Sequence, residues 1–187
     1  MEHDGDEWVH NIQTQTGRLS KLITNLVTLS RLDEEDPFPV RTEFSLSDVL
    51  WEISEPFVSL AQAKGKTYTQ DIADGLTVTG DRTAIQQMIS ILLDNALKYS
   101  PDGGSISLTA RRSGKKAEIT VSNTTDGVRN IDAARLFDRF YRADESHSNA
   151  VSGTGIGLSI AKATAEAHGG KISAKQTGNT ITFQVTL

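Results

Sequence analysis

The chain has 187 residues, 37% of them hydrophobic, and a formal net charge of -5. That length bounds it to one or two domains with enough apolar residues for a core, and the acidic balance, without any basic stripe, argues against a nucleic-acid partner. Cysteine is absent, which removes disulfides and thiol chemistry and suits a reducing compartment. No apolar run approaches the ~20 residues that span a bilayer, and the acidic, polar start from Met1 to Asp6 does not read as a signal peptide.

The first predicted element is one long amphipathic helix. Ile12, Leu19 and Leu26 recur every seven residues, as do Trp8, Leu22 and Leu29 after a polar gap at Gln15. That is an a/d seam, which needs a partner helix; the alternative is an ordinary amphipathic helix lying on its own domain. The acidic run Asp33–Asp36 followed by Pro37 and Pro39 ends the helix and makes a stiff linker. The boundaries expected are therefore 1–36, a linker at 37–44, and a domain at 45–187. Ser45 or Ser47 caps a helix to about Lys64, with Gly65 as its stop. Thr67–Ile72 and Leu76–Thr79 read as strands on either side of an Asp74-Gly75 turn. Asp81 is the N-cap of a helix to Ser100. Ser105–Arg111 and Ala117–Val121 alternate and join as a hairpin through Ser113-Gly114. Lys171–Lys175 and Thr180–Leu187 form a last hairpin around Gly178-Asn179. The close pairs are hairpins, so the expected fold is α+β: a two-layer sandwich of a mixed, largely antiparallel sheet with helices on one face.

Two segments carry chemistry. Ser152-Gly153-Thr154-Gly155-Ile156-Gly157-Leu158 leads into a stretch of helical spacing through Ile160, Ala163 and Ala167. Such a glycine run either makes a tight turn before a packed helix or lets backbone N–H groups approach a phosphate at the helix start. The polar stretch Arg142–Val151 before it is no strand, so this is no dinucleotide fingerprint, and Leu158 after Gly157 excludes a Walker A loop. The glycines instead close a long polar loop of the kind that folds over a nucleotide. In the second segment Ile85, Met88, Ile89, Leu92, Leu93 and Ala96 form an apolar stripe. Beside it Asn95 and Lys98, three apart, share a face. They read either as a solvated polar edge or as an amide ligand to Mg²⁺ with an ammonium for phosphate oxygens.

Together these segments resemble sensor histidine kinases. Leu92–Pro101, LLDNALKYSP, is similar to that family's N box. Arg135–Asp144, RLFDRFYRAD, is similar to its F box, and Gly153–Lys162 with His168–Ile172 to its G2 box. Gly17–Asp33 resembles the second helix of the family's dimerisation hairpin. The resemblance implies the ATP-binding fold shared by histidine kinases, gyrase, Hsp90 and MutL, with ATP and Mg²⁺ bound and residues 1–36 as part of the dimerisation hairpin. On the matching positions it implies Asn95 as metal ligand, Lys98, Arg142 and Arg139 on phosphates, and Tyr99 either stacked on the base or in an ordinary core or surface place. Gly153, Thr154, Gly155, Gly157 and Leu158 supply the phosphate-wrapping run. It further implies transfer of the γ-phosphoryl to a histidine, relay to a response-regulator receiver domain, a homodimer in the full-length protein, and a cytosolic domain of a membrane-anchored sensor.

Three departures qualify the match. The family's Asp-x-Gly-x-Gly box, whose Asp reads the adenine amino group, is here Asn123-Thr124-Thr125-Asp126-Gly127. An Asn oxygen still accepts a hydrogen bond, without charge assistance, and Asp126 substitutes only if the loop turns differently. Ile91 stands where the gyrase and Hsp90 branches carry a Glu, and it cannot serve as a base. The His-Glu/Asp-Leu-Arg/Lys-Thr-Pro acceptor motif is absent. His3 lies in a polar tail, His10 on the helix that normally lacks the acceptor, His147 in the polar loop, and His168 at a helix end where Gly169 caps and the dipole favours a cation. The chain thus reads as a fragment that binds ATP without autophosphorylating. The rival readings are a degenerate nucleotide-free scaffold and a serine kinase of the anti-sigma type.

Overall fold

The computed structural model describes residues 3–32, 34, 36–126, 132–142 and 155–187. The chain divides into two compact units, Met1–Pro37 and Phe38–Leu187. The first is built on helix α1, His3–Leu32. Its heptad residues Ile12, Leu19 and Leu26 are all exposed, as is Trp8. No helix among the described residues is long and apolar enough to cross a membrane.

The second unit has the element order β1 (Thr42–Ser45), α2 (Leu46–Ala63), β2 (Thr67–Ile72), β3 (Thr77–Gly80), α3 (Arg82–Tyr99), β4 (Ser105–Ser113) and β5 (Lys116–Thr124). A short 3₁₀ turn (Arg135–Phe137), α4 (Gly157–Ala167), β6 (Lys171–Thr177) and β7 (Thr180–Thr186) follow. Ser45 caps α2, its side chain accepting from Asp48 N at 3.2 Å. Gly65 and Gly178 take left-handed φ at the expected stop and turn.

The main sheet has the order β2-β4-β5-β7-β6. It is antiparallel except for β2, which runs parallel to β4 with Thr67 opposite Ser105 and Ile72 opposite Ala110. Its strands are one-sided. Ile106, Leu108 and Ala110, then Ala117, Ile119 and Val121, then Ile181, Phe183 and Val185 are buried at alternate positions, the period of a sheet that buries one face. That row packs with Leu46 and Leu50 of α2, Ile85 to Leu97 of α3, and Ala161 and Ala165 of α4. The result is the expected two-layer α+β sandwich.

One pairing differs from expectation. β2 and β3 flank the Asp74-Gly75 turn but do not pair with each other. β3 pairs antiparallel with β1, Phe44 opposite Val78, in a separate two-stranded sheet. Thr42–Ser45, mostly within the stretch expected as linker, thus form a strand. The reason lies in Ser47. Its Oγ accepts from Leu76 N at 3.0 Å and donates to Ala73 O at 2.8 Å, and Leu46 N donates to Leu76 O at 2.7 Å. The start of α2 takes the turn's polar groups, so no hairpin ladder forms across it.

Under α2, Tyr68 and Gln70 of β2 present Oη and Oε1 as buried atoms with no hydrogen-bond partner among the described residues. Ser54 lies beside the phenol but donates to Trp51 O at 3.0 Å. An unmade bond at a buried hydroxyl costs its desolvation. Tyr68→Phe is therefore expected to be neutral or stabilising by up to about 1 kcal/mol in urea unfolding at neutral pH. Burial, offset in part by Ser54, also pushes the Tyr68 phenol well above its ordinary 10.0. The unfolded chain then releases this proton first, so stability falls as pH rises through 10. The Phe variant should flatten that alkaline decline; an unchanged slope would show that other groups cause it.

Candidate functional site

Asp81 starts α3 as the N-cap, its carboxylate accepting from Ala84 N at 2.9 Å. The stripe from Ile85 to Ala96 goes into the core, which rotates Ile91, Asn95 and Lys98 to the half-buried edge of the helix. There α3 meets α4. A Cβ on Gly157, the first residue of α4, would lie 3.2 Å from Ile91 Cγ2, so the start of α4 lies close against the middle of α3. Asn95 is one turn beyond Ile91 on the same face. Ile156, the N-cap of α4, offers no side-chain cap, so the first-turn N–H groups lack a side-chain acceptor among the described residues. Such an end carries partial positive charge and suits an anion. Leu158 packs against the core and anchors this end.

At the far end of α3, Lys98 Nζ lies 5.0 Å from the ring centroid of Tyr99, which is 45% exposed. Burial pushes the Tyr99 phenol up, Arg142 pulls it back down, and Asp94 pushes it up. Arg142 therefore bears on the same end of α3. The 3₁₀ turn brings it there: Phe137 is buried edge-on against Phe183, centroids 6.3 Å apart, and Arg135 lies 4.6 Å over the Tyr141 ring. Arg139 is exposed. Phe140, with φ of 67°, is the one non-glycine residue at positive φ among the described residues. Its N–H donates to Gly155 O at 2.9 Å. A Cβ on Gly155 would sit 2.8 Å from the Phe140 carbonyl carbon. This clasp joins the aromatic segment to the glycine run, and nothing in the residue pattern announced it.

Asn123 continues the buried row of β5, so its amide faces the helical layer at the end of the strand. Nδ2 donates to Thr124 O at 2.8 Å, which turns Oδ1 the other way as an acceptor. Thr125 is held by the β6–β7 turn, its N donating to Asn179 O at 2.7 Å and its Oγ1 at 3.3 Å. Asp126 is exposed beyond it. Gly127, Gly153, Thr154 and His147 lie outside the described residues.

His168 is the C-cap of α4. Asp81 N donates to His168 Nε2 at 3.0 Å, and Nδ1 faces Thr164 O at 2.7 Å. The imidazole accepts at Nε2 and donates at Nδ1. It joins the end of α4 to the N-cap of α3, stacked on Phe38 at 4.9 Å. The sequence places the two partners of the Asp81–His168 bond 87 residues apart.

Residues 80–187 match the family of histidine kinase-, DNA gyrase B- and HSP90-like ATPases. The sensor protein DltS of Streptococcus agalactiae is 33% identical over 183 residues, 98% of this chain and 46% of the relative. The probable sensor protein PcoS of Escherichia coli is 37% identical over 170 residues, 91% of this chain and 36% of the relative. The chain thus spans less than half the length of these curated relatives. Among solved structures, the Acinetobacter baumannii histidine kinase AdeS shares the fold with a TM-score of 0.75 at 22% identity, covering 93% of this chain and 80% of that one. Full-length ShkA in complex with AMPPNP has a TM-score of 0.82 at 22% identity, covering 96% and 38%. The chain belongs to this family of histidine kinase-, DNA gyrase B- and HSP90-like ATPases.

Proposed function

We propose that this chain binds ATP with Mg²⁺ between α3, the end of β5 and the start of α4, and presents the γ-phosphoryl to a histidine on a separate helix. The observation that carries it is the Ile91–Gly157 contact at the uncapped start of α4, since Asn95 follows Ile91 by one turn on the same face of α3. The donor set suits the ion. Among the described residues no three His, Cys, Asp or Glu side chains gather to hold a metal, whereas Mg²⁺ is commonly held by few protein oxygens plus substrate phosphates and water. Asn95 is assigned as the residue that would hold it, and an ion held there would supply neutralisation of the charge on the transferred group. Lys98 and Arg142, with Arg139, hold phosphate oxygens, and the amides of the run Gly153-Thr154-Gly155 to Gly157-Leu158 wrap them. Tyr99 flanks the base. Asn123 Oδ1 accepts from the adenine amino group, with Asp126 and Gly127 completing that loop. Ile91 offers no base, so free ATP is not hydrolysed but kept for an acceptor.

Residues 1–36 are assigned to a dimerisation hairpin and 45–187 to the catalytic domain; of the stretch 37–44 between them, Thr42–Phe44 pair with β3 as part of the second unit. In the longer protein we place a cytoplasmic homodimer that relays phosphate to a response-regulator receiver domain. The related kinase ThkA, 24% identical, is known in complex with response regulator TrrA. Neither the scaffold nor the anti-sigma reading is favoured by relatives that are sensor kinases.

Calorimetric titration with a non-hydrolysable ATP analogue, with and without Mg²⁺, tests the reading. Mg²⁺-dependent binding is expected, and no binding at millimolar ligand would overturn it. Labelled ATP should leave no phosphate on this chain alone. Asn123→Asp supplies a charged acceptor, and charge-assisted bonds are roughly twice as strong as neutral ones, but it also replaces the Nδ2 donor to Thr124 O with an oxygen, so the gain in affinity is expected to stay below about fivefold.

A further inference from the structure

A buried cation lies outside the site as drawn so far. Lys66, between α2 and β2, is only 8% exposed. Its Nζ donates to Leu97 O at 2.9 Å and to Ser100 O. These two carbonyls belong to the last turn of α3, whose C=O groups have no partner within the helix. An ammonium there satisfies them and opposes the negative end of the helix dipole. Burial lowers the Lys66 pKa, Lys64 lowers it further, and Asp102 and Asp126 oppose the shift.

The turn that Lys66 holds also reaches the strand end that carries Asn123. Ser100 Oγ lies 3.4 Å from Thr124 Oγ1, which accepts from Ser105 N at 2.9 Å. A Cβ on neighbouring Gly104 would fall 2.4 Å from Ser100 Oγ and 2.6 Å from Thr124 Oγ1, so no other side chain fits between them. Thr67, next to Lys66, donates its N–H to Gly104 O at 2.9 Å. The last turn of α3, which bears Lys98 and Tyr99, is thereby tied to the end of β5, and Asp126 bears on the same ammonium.

We propose that Lys66 is a positioning residue for the nucleotide site: its ammonium fixes the C-terminal turn of α3 against the end of β5 and so sets Lys98 and Tyr99 relative to Asn123. The proposal rests on the nucleotide reading above. It does not involve Asn95, which lies further up α3 within the regular helical ladder.

The test is the affinity of Lys66→Met and Lys66→Arg for the ATP analogue, with and without Mg²⁺, alongside thermal unfolding. Loss of bonds donated by a charged group should weaken the Met variant at least about tenfold in both conditions. The ratio between the two conditions, which reports Asn95, should stay that of the wild type, and the Arg variant should recover most of the loss. If the Met variant unfolds, Lys66→Gln, which keeps N–H donors without the charge, carries the same expectation. A Met variant that binds like the wild type overturns the proposal. So does one that loses affinity and Mg²⁺ ratio together, because that marks a general collapse of the site. No binding by the wild-type chain overturns the nucleotide reading and this proposal with it.

Discussion

Asn95→Ala is expected to abolish Mg²⁺-dependent ATP binding, a loss on the order of 100-fold, while leaving the fold as stable as before or slightly more so. The first half follows from the assigned role. Groups that merely orient a metal's ligands cost ~10–100-fold when removed, so the loss of a direct ligand sits at or above the top of that range. The second half follows from the helix. Asn95 is half-buried at the edge of α3, and Ala is the better helix former by about 0.7 kcal/mol. A residue that weakens its own helix and is kept for a ligand behaves in this way; a solvated polar edge does not. Titration of the analogue with and without Mg²⁺, and a thermal melt of the same sample, check both halves. Unchanged binding in the variant would return Asn95 to the solvated-edge reading.

What the sequence announced and what it did not divide along physical lines. Elements with strong periodicity and explicit punctuation were legible. The stripe from Ile85 to Ala96 with Asp81 before it predicted α3, and the Gly178-Asn179 turn predicted the hairpin of β6 and β7. The motif spacing named Asn95, Lys98 and the glycine run. Interactions that depend on distant backbone were not legible. The β1–β3 pairing hangs on Ser47, one hydroxyl shared between Ala73 and Leu76. The bond from Asp81 N to His168 Nε2 joins residues 87 apart. Lys66 reads in the sequence as one more surface lysine after a glycine, and only the fold reveals the two carbonyls above it. Asn123 was visible as a departure. The direction of its amide was not, because that is set by the carbonyl of the next residue.

Gly155→Ala is expected to cost about 2–3 kcal/mol of stability and at least tenfold in ATP affinity. Two independent penalties meet at this position. Its φ of 69° is a left-handed conformation that costs an L-residue roughly 1–2 kcal/mol. Its Cβ would also fall 2.8, 2.9 and 3.0 Å from the carbonyl carbon, Cα and oxygen of Phe140. These are backbone atoms, not the end of a flexible side chain. Phe140 cannot yield cheaply, since at φ 67° it is already in an unfavourable basin. The variant must therefore break the bond from Phe140 N to Gly155 O and move the segment that bears Arg142 away from Tyr99. Gly157→Ala is the control. That glycine lies in the first turn of α4 without a positive φ, and its Cβ would meet only the side-chain methyl of Ile91 at 3.2 Å. Ala also favours the helix, so its stability should change by less than about 1 kcal/mol. Urea unfolding and calorimetry on the pair separate the two positions. Equal, small effects at both would show that the clasp between Phe140 and Gly155 bears no weight in this domain.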